Sequence, residues 1–77
     1  MNIVEVFGRN LRHFRLEQGL SQEKFSELCG LHRTYISDIE CCQRNISLVN
    51  AQRIADALGI DVYKMFIEED ENACKHN

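Results

Sequence analysis

The sequence predicts an all-α fold of five short helices, and three observations predict it. Apolar residues recur at intervals of three and four along most of the chain, the period of one helix face. Nowhere does the pattern settle into the strict alternation of a half-buried strand. There is no proline, and three of the four glycines, Gly19, Gly30 and Gly59, fall where an apolar stripe ends. Glycine takes the left-handed backbone that closes a helix C-terminus.

The elements follow in order. Residues 3–18 carry Ile3, Val4, Phe7, Leu11 and Phe14 as one stripe, and Gly19 ends it. Ser21 is the cap of a second helix, 22–29, with Lys24 where a capping box would place Glu. Its inward residues are Phe25, Leu28 and Cys29, and Gly30 stops it. After a turn at Leu31, residues 32–41 read as a third helix with Ile36 and Ile39 inward; His32 is a weaker cap than Ser or Asp. Residues 42–46 are a loop. Ser47 caps a fourth helix through Leu58, with Leu48, Ala51, Ile54, Ala55 and Leu58 in register before Gly59. A last short helix, 61–67, carries Val62, Met65 and Phe66. Residues 68–77 have no apolar period and are expected to fray as an acidic tail behind a domain spanning 1–67.

Composition narrows the function. At 77 residues the chain makes one small domain, too few for a multidomain enzyme or an extended repeat array. With 44% hydrophobic and 27% charged residues it is too apolar for a disordered tail. No uncharged stretch approaches the roughly 20 residues of a membrane span, and no signal or transit peptide is visible. The expectation is a cytoplasmic protein associated with the nucleoid, without a membrane partner. The net charge of −3 is unevenly distributed. Residues 1–53 hold seven basic groups against six acidic ones, and 54–77 hold two against six. A front richer in cations suits one face meeting a polyanion while the tail keeps the chain soluble.

Cysteine chemistry adds nothing catalytic. Cys29, Cys41, Cys42 and Cys74 lack the density of a disulfide framework. The adjacent Cys41 and Cys42 lack the spacer that closes two thiolates on one metal. No metal site and no cofactor are expected, and Cys29 reads as a small buried hydrophobe.

The informative stretch is 22–39. Two short helices joined by a glycine-containing turn, with Phe25, Leu28, Leu31, Ile36 and Ile39 inward, make a helix-turn-helix. The second helix presents Arg33, Thr34, Ser37 and Asp38. Arginine can give two hydrogen bonds to guanine, and threonine offers a hydroxyl and a methyl for thymine. Spacing alone leaves a purely structural helix pair open.

The segment LSQEKFSELCGLHRTYISDIE, followed by RNISL and AQRIADALGI, resembles the Xre/Cro-like helix-turn-helix family, which includes phage repressors, over about residues 7–67. Within it, GLHRTYIS followed by RNISL most resembles the controller proteins of restriction–modification systems. Those are small homodimeric regulators that bind operators near their own gene and time expression of the endonuclease. The resemblance implies a five-helix lambda-repressor-like DNA-binding domain, acting as a homodimer on palindromic double-stranded operators, with RNA polymerase a further partner. It implies that Gln22 hydrogen-bonds a phosphate and braces the reading helix. Arg33, Thr34 and Ser37 would face bases, Tyr35 the backbone or groove edge, and Arg44 and Asn45 phosphates or an adjacent base.

The chain departs from the family after Glu40. A glycine and basic residues are usual there, and here stand Cys41, Cys42 and Gln43, so a left-handed turn falls to a residue with a Cβ. Asp38 would repel phosphate, rejecting sites or reading a cytosine amino group. Two structural expectations complete the reading. Arg15 and Glu40 occupy inward positions, costly unless they meet, and the family implies the same pair, so a buried ion pair is expected. Tyr63 and Ile67 are left on the outer face of the last helix, and a homodimer through the fourth and fifth helices is expected with them at its interface. The competing readings are a phage-type repressor and an antitoxin-like module whose acidic tail engages a basic partner. An enzyme is not expected, because the carboxylates at 68–71 lie in the tail, where no rigid geometry is held.

Overall fold

A computed structural model describes residues 2–68, and among them all regular structure is helical. Four α-helices, α1 (Ile3–Glu17), α2 (Gln22–Cys29), α3 (Arg33–Glu40) and α4 (Leu48–Leu58), precede a 3-10 turn, Val62–Phe66. The fifth helix expected over 61–67 is therefore corrected to five residues of 3-10 structure with Ile67 already extended. Its hydrogen bonding explains why. Lys64 N–H closes a tight turn on the Asp61 carbonyl at 3.0 Å. The carbonyls of Met65 and Ile67 instead receive the Asn10 side-chain amide from α1, at 2.8 and 3.0 Å. The expected fraying of 69–77, and Cys74, lie outside the described residues.

Local chemistry sets the helix limits. Asn2 Oδ1 accepts from the N–H groups of Val4 and Glu5, Ser21 Oγ from Lys24, and Ser47 Oγ from Asn50. His32 belongs to the same set: its Nδ1 accepts from Thr34 N–H at 3.1 Å. His32 and Cys41 thus flank α3 rather than belong to it, and Gln18 flanks α1. Gly19 sits at φ 71°, and the amides of Gly19 and Leu20 fold back onto Leu16 and Arg15. That is the paired closure a left-handed residue allows.

The core gathers one face from each element: Phe7 and Leu11 of α1, Phe25 of α2, Ile36 and Ile39 of α3, Ile54 of α4, and Met65. Helix α1 packs on α3 and on the 3-10 turn, while α2 packs on α3 and α4. Asn10 is buried among them, and Gln18, just past α1, donates to the Leu58 carbonyl at the end of α4 (2.7 Å). Two expected core residues are not in it. Leu28 is 55% exposed and Leu48 is 84% exposed. In the eight-residue α2, Phe25 and Cys29 take the inward line and leave Leu28 beside it. Leu48, like the half-exposed Ile3, opens its helix, so its in-register position projects past the edge of the core.

Candidate nucleic-acid interface

The α2–turn–α3 unit is held from behind. Gly30 at φ 75° turns the chain between the two helices. Arg15 of α1 meets Glu40 of α3 in a two-pronged pair, Nε to Oε2 at 2.7 Å and Nη2 to Oε1 at 2.9 Å. The side chains are only 8% and 4% exposed. Nη1 of the same guanidinium donates to the Leu20 carbonyl at 2.7 Å, and Gln22 Nε2 donates to Glu40 Oε1 at 3.0 Å. Ion, loop and the start of α2 therefore share one node, with no buried side-chain polar atom left unpartnered among the described residues. A buried pair so completely hydrogen-bonded fixes orientation more than it adds net stability. Gln22 directs an amide N–H to this node, the bracing half of its expected role. Helix α1 can come this close to α3 because Gly8 has no Cβ, which would collide with the Ile39 carbonyl oxygen.

The opposite side of α3 faces solvent. Arg33 and Thr34 are exposed in its first turn, and Ser37 and Asp38 are half-buried further along. The exposed helix N-terminus adds partial positive charge beside Arg33. After α3 the chain reverses at Cys42, whose φ of 62° is the left-handed value expected of a glycine. The amides of Cys42 and Gln43 close onto the carbonyls of Ile39 and Asp38. The reversal brings Arg44 back over α3. Its guanidinium carbon sits 4.9 Å from the Tyr35 ring centroid, and Nη2 lies 3.4 Å from Asp38 Oδ2. Tyr35 is half-buried, and its hydroxyl accepts from the Asn50 side-chain amide of α4 at 3.0 Å. Asn45 is exposed beside Arg44.

The structure thus brings Arg33, Thr34, Ser37, Asp38, Tyr35 and Arg44 to one helix and its following loop. It places Tyr63 on the 3-10 segment and Ile67 just after it, apart from them and exposed at 59% and 37%. Sequence reasoning missed Asn50, whose amide fixes Tyr35, and undervalued His32, which caps α3. An Asn in the first turn of a helix carries no local sign of a partner fifteen residues earlier. Burial pushes the Cys29 thiol above its ordinary range, consistent with a packing role away from this face.

A helix-turn-helix family model matches residues 11–64, which span the braced pair and the loop after α3. The chain belongs to this helix-turn-helix family. Its curated relatives include the control protein C.BamHI of Bacillus amyloliquefaciens, 52% identical over 60 residues, covering 77% of this chain and 74% of that protein. Among solved helix-turn-helix structures, a hypothetical transcription factor from Neisseria superposes with a TM-score of 0.85 at 37% identity, over 95% of this chain and 84% of that one. The restriction–modification controller protein C.AhdI of Aeromonas hydrophila superposes with a TM-score of 0.79 at 44% identity, covering 82% and 96%. In this member of the family, no helix among the described residues is long and apolar enough to cross a membrane.

Proposed function

We propose that the protein is a sequence-specific DNA-binding transcriptional regulator, a controller protein of a restriction–modification system that acts as a homodimer on a palindromic operator. The observation that carries this reading is the contrast between the two sides of α3. Its back is locked to α1 and α2 through Glu40, while its front offers Arg33 and Thr34 to solvent. A rigid helix presenting an arginine at its first turn suits entry into the major groove. In the lambda-repressor-like arrangement so proposed, the 3-10 turn takes the place of a fifth helix. Arg33, Thr34 and Ser37 read base edges, while Tyr35, Arg44 and Asn45 meet the sugar–phosphate backbone or an adjacent base. Similarity to C.BamHI and C.AhdI supports the controller role. RNA polymerase is the partner such a regulator would engage at a promoter.

The test is a titration of Arg33→Ala against operator and scrambled duplexes, after selection of the operator from random DNA. Loss of one bidentate guanine contact should cost about 1–3 kcal/mol per half-site and relax preference at one base pair. If Arg33→Ala binds both duplexes like the unaltered protein, α3 is not the reader and the proposal fails.

A further inference from the structure

The cation best placed to meet phosphate after Arg33 is not free. Arg44 lies over the Tyr35 ring and against the Asp38 carboxylate, and the ring is itself tethered by the Asn50 amide. We infer that Asp38 is a latch on Arg44, so that the guanidinium meets the DNA backbone only after it has released the carboxylate. This rests on the DNA-binding reading and deepens it, by assigning Asp38 a partner within the chain and Asn50 a positioning role.

The geometry favours a latch over a permanent brace. The Arg15–Glu40 pair is almost fully buried and doubly bonded, whereas the Asp38–Arg44 contact is a single 3.4 Å approach with the side chains 34% and 48% exposed. Exposed pairs of this kind are weak and yield to a competing anion. The planar guanidinium stacks on the tyrosine face without needing the carboxylate. Arg44 therefore has two resting partners inside the molecule, and a phosphate must displace at least the carboxylate. A protein lying loosely on arbitrary sequence gains most of its affinity from phosphate neutralisation. There, a latched Arg44 contributes little, because Asp38 has already neutralised it. On the operator, the base contacts of Arg33 bring the loop close enough for Arg44 to change partners. Releasing the carboxylate therefore lowers seated affinity by the full strength of the pair, and loose affinity by no more than that. The root of the latch is the left-handed backbone at Cys42, which returns the chain over Tyr35.

The experiment is a cycle of Asp38→Asn, Arg44→Gln and the double variant, each titrated on operator and scrambled duplex over a range of salt. Asp38→Asn should tighten operator about threefold and scrambled DNA by no more than that, with the salt slope on scrambled DNA steeper by up to about one per protomer. In the Arg44→Gln background, Asp38→Asn should change neither affinity nor slope. A gain of the same size in that background would mean that Asp38 simply repels DNA and would overturn the latch. So would selective weakening of operator by Asp38→Asn, which would make the carboxylate a base reader. A DNA-free readout separates this inference from the binding proposal. In the NMR spectrum of the free protein, the chemical shift of the Arg44 guanidinium protons should change when Asp38→Asn removes the carboxylate, while the Tyr35 ring stays stacked on the side chain. An unchanged shift overturns the latch even if the protein binds its operator.

Discussion

Single residues decide how the reading helix is framed. Cys42 holds a left-handed backbone that costs a side-chain-bearing residue about 1–2 kcal/mol, and glycine there would avoid that cost. Glycine also adds freedom to the unfolded chain, offsetting about 0.4–1 kcal/mol of the gain. Cys42→Gly should therefore raise stability by roughly 0.5–1 kcal/mol, read as a higher midpoint in urea unfolding with an unchanged slope. Glu40 is the opposite case. Glu40→Ala leaves the Arg15 guanidinium buried with only the Leu20 carbonyl, and should cost about 3 kcal/mol. A loss below about 0.5 kcal/mol would show that water screens the pair in solution. Cys29 gives a sign for pH: its thiol is harder to ionise folded than unfolded, because burial penalises the thiolate. That contribution to stability is intact below the ordinary thiol pKa of about 8.5 and is lost as pH rises through the raised folded value.

Between elements, the decisive contact is the approach of α1 to α3 at Gly8. A methyl there meets the backbone carbonyl of Ile39, which cannot rotate away as a side-chain tip would. Gly8→Ala should therefore cost about 3 kcal/mol or more and tilt α3, so that Arg33 contacts weaken together with stability. Thermal unfolding and operator titration of the same variant check both halves. The contrast between Gly8 and the other glycines shows what the sequence could reveal. Gly19, Gly30 and Gly59 end apolar stripes, and Ser21 and Ser47 precede them, so helix limits were legible from neighbours in the chain. The Arg15–Glu40 pairing was legible too, because two charges on inward faces need one another. The function of Gly8 depends on a carbonyl thirty-one residues away, and that of Asn10 on carbonyls more than fifty away. No local period encodes either. Leu28 and Leu48 misled for a related reason: a stripe fixes direction around a helix, but not where the neighbouring element ends. The exposure of Arg33 and Thr34 on the front of α3 was legible in the sequence, but not the pairing of Asp38, Arg44, Tyr35 and Asn50.

For the whole molecule the question is how one short reading helix gains operator affinity. A two-fold reader places two such helices about 34–36 Å apart along the groove, so a homodimer is the natural unit. The segment offered for that purpose is the 3-10 turn with the residue after it, where Tyr63 and Ile67 are exposed while Met65 faces the core. Asn10 fixes it to α1, so an interface built there would be rigidly connected to the helix that also holds Glu40. Tyr63→Glu places a charge on this face without touching the core. It should leave the helical circular dichroism spectrum unchanged while shifting sedimentation at micromolar concentration from dimer to monomer. Operator affinity should then fall about a hundredfold or more, since one half-site contributes only part of the contacts. For the unaltered protein, the melting temperature should rise with concentration, as it does when folding and association are linked. An unaltered protein that sediments only as a monomer, with and without operator, would remove Tyr63 and Ile67 from any interface and require each reading helix to act alone.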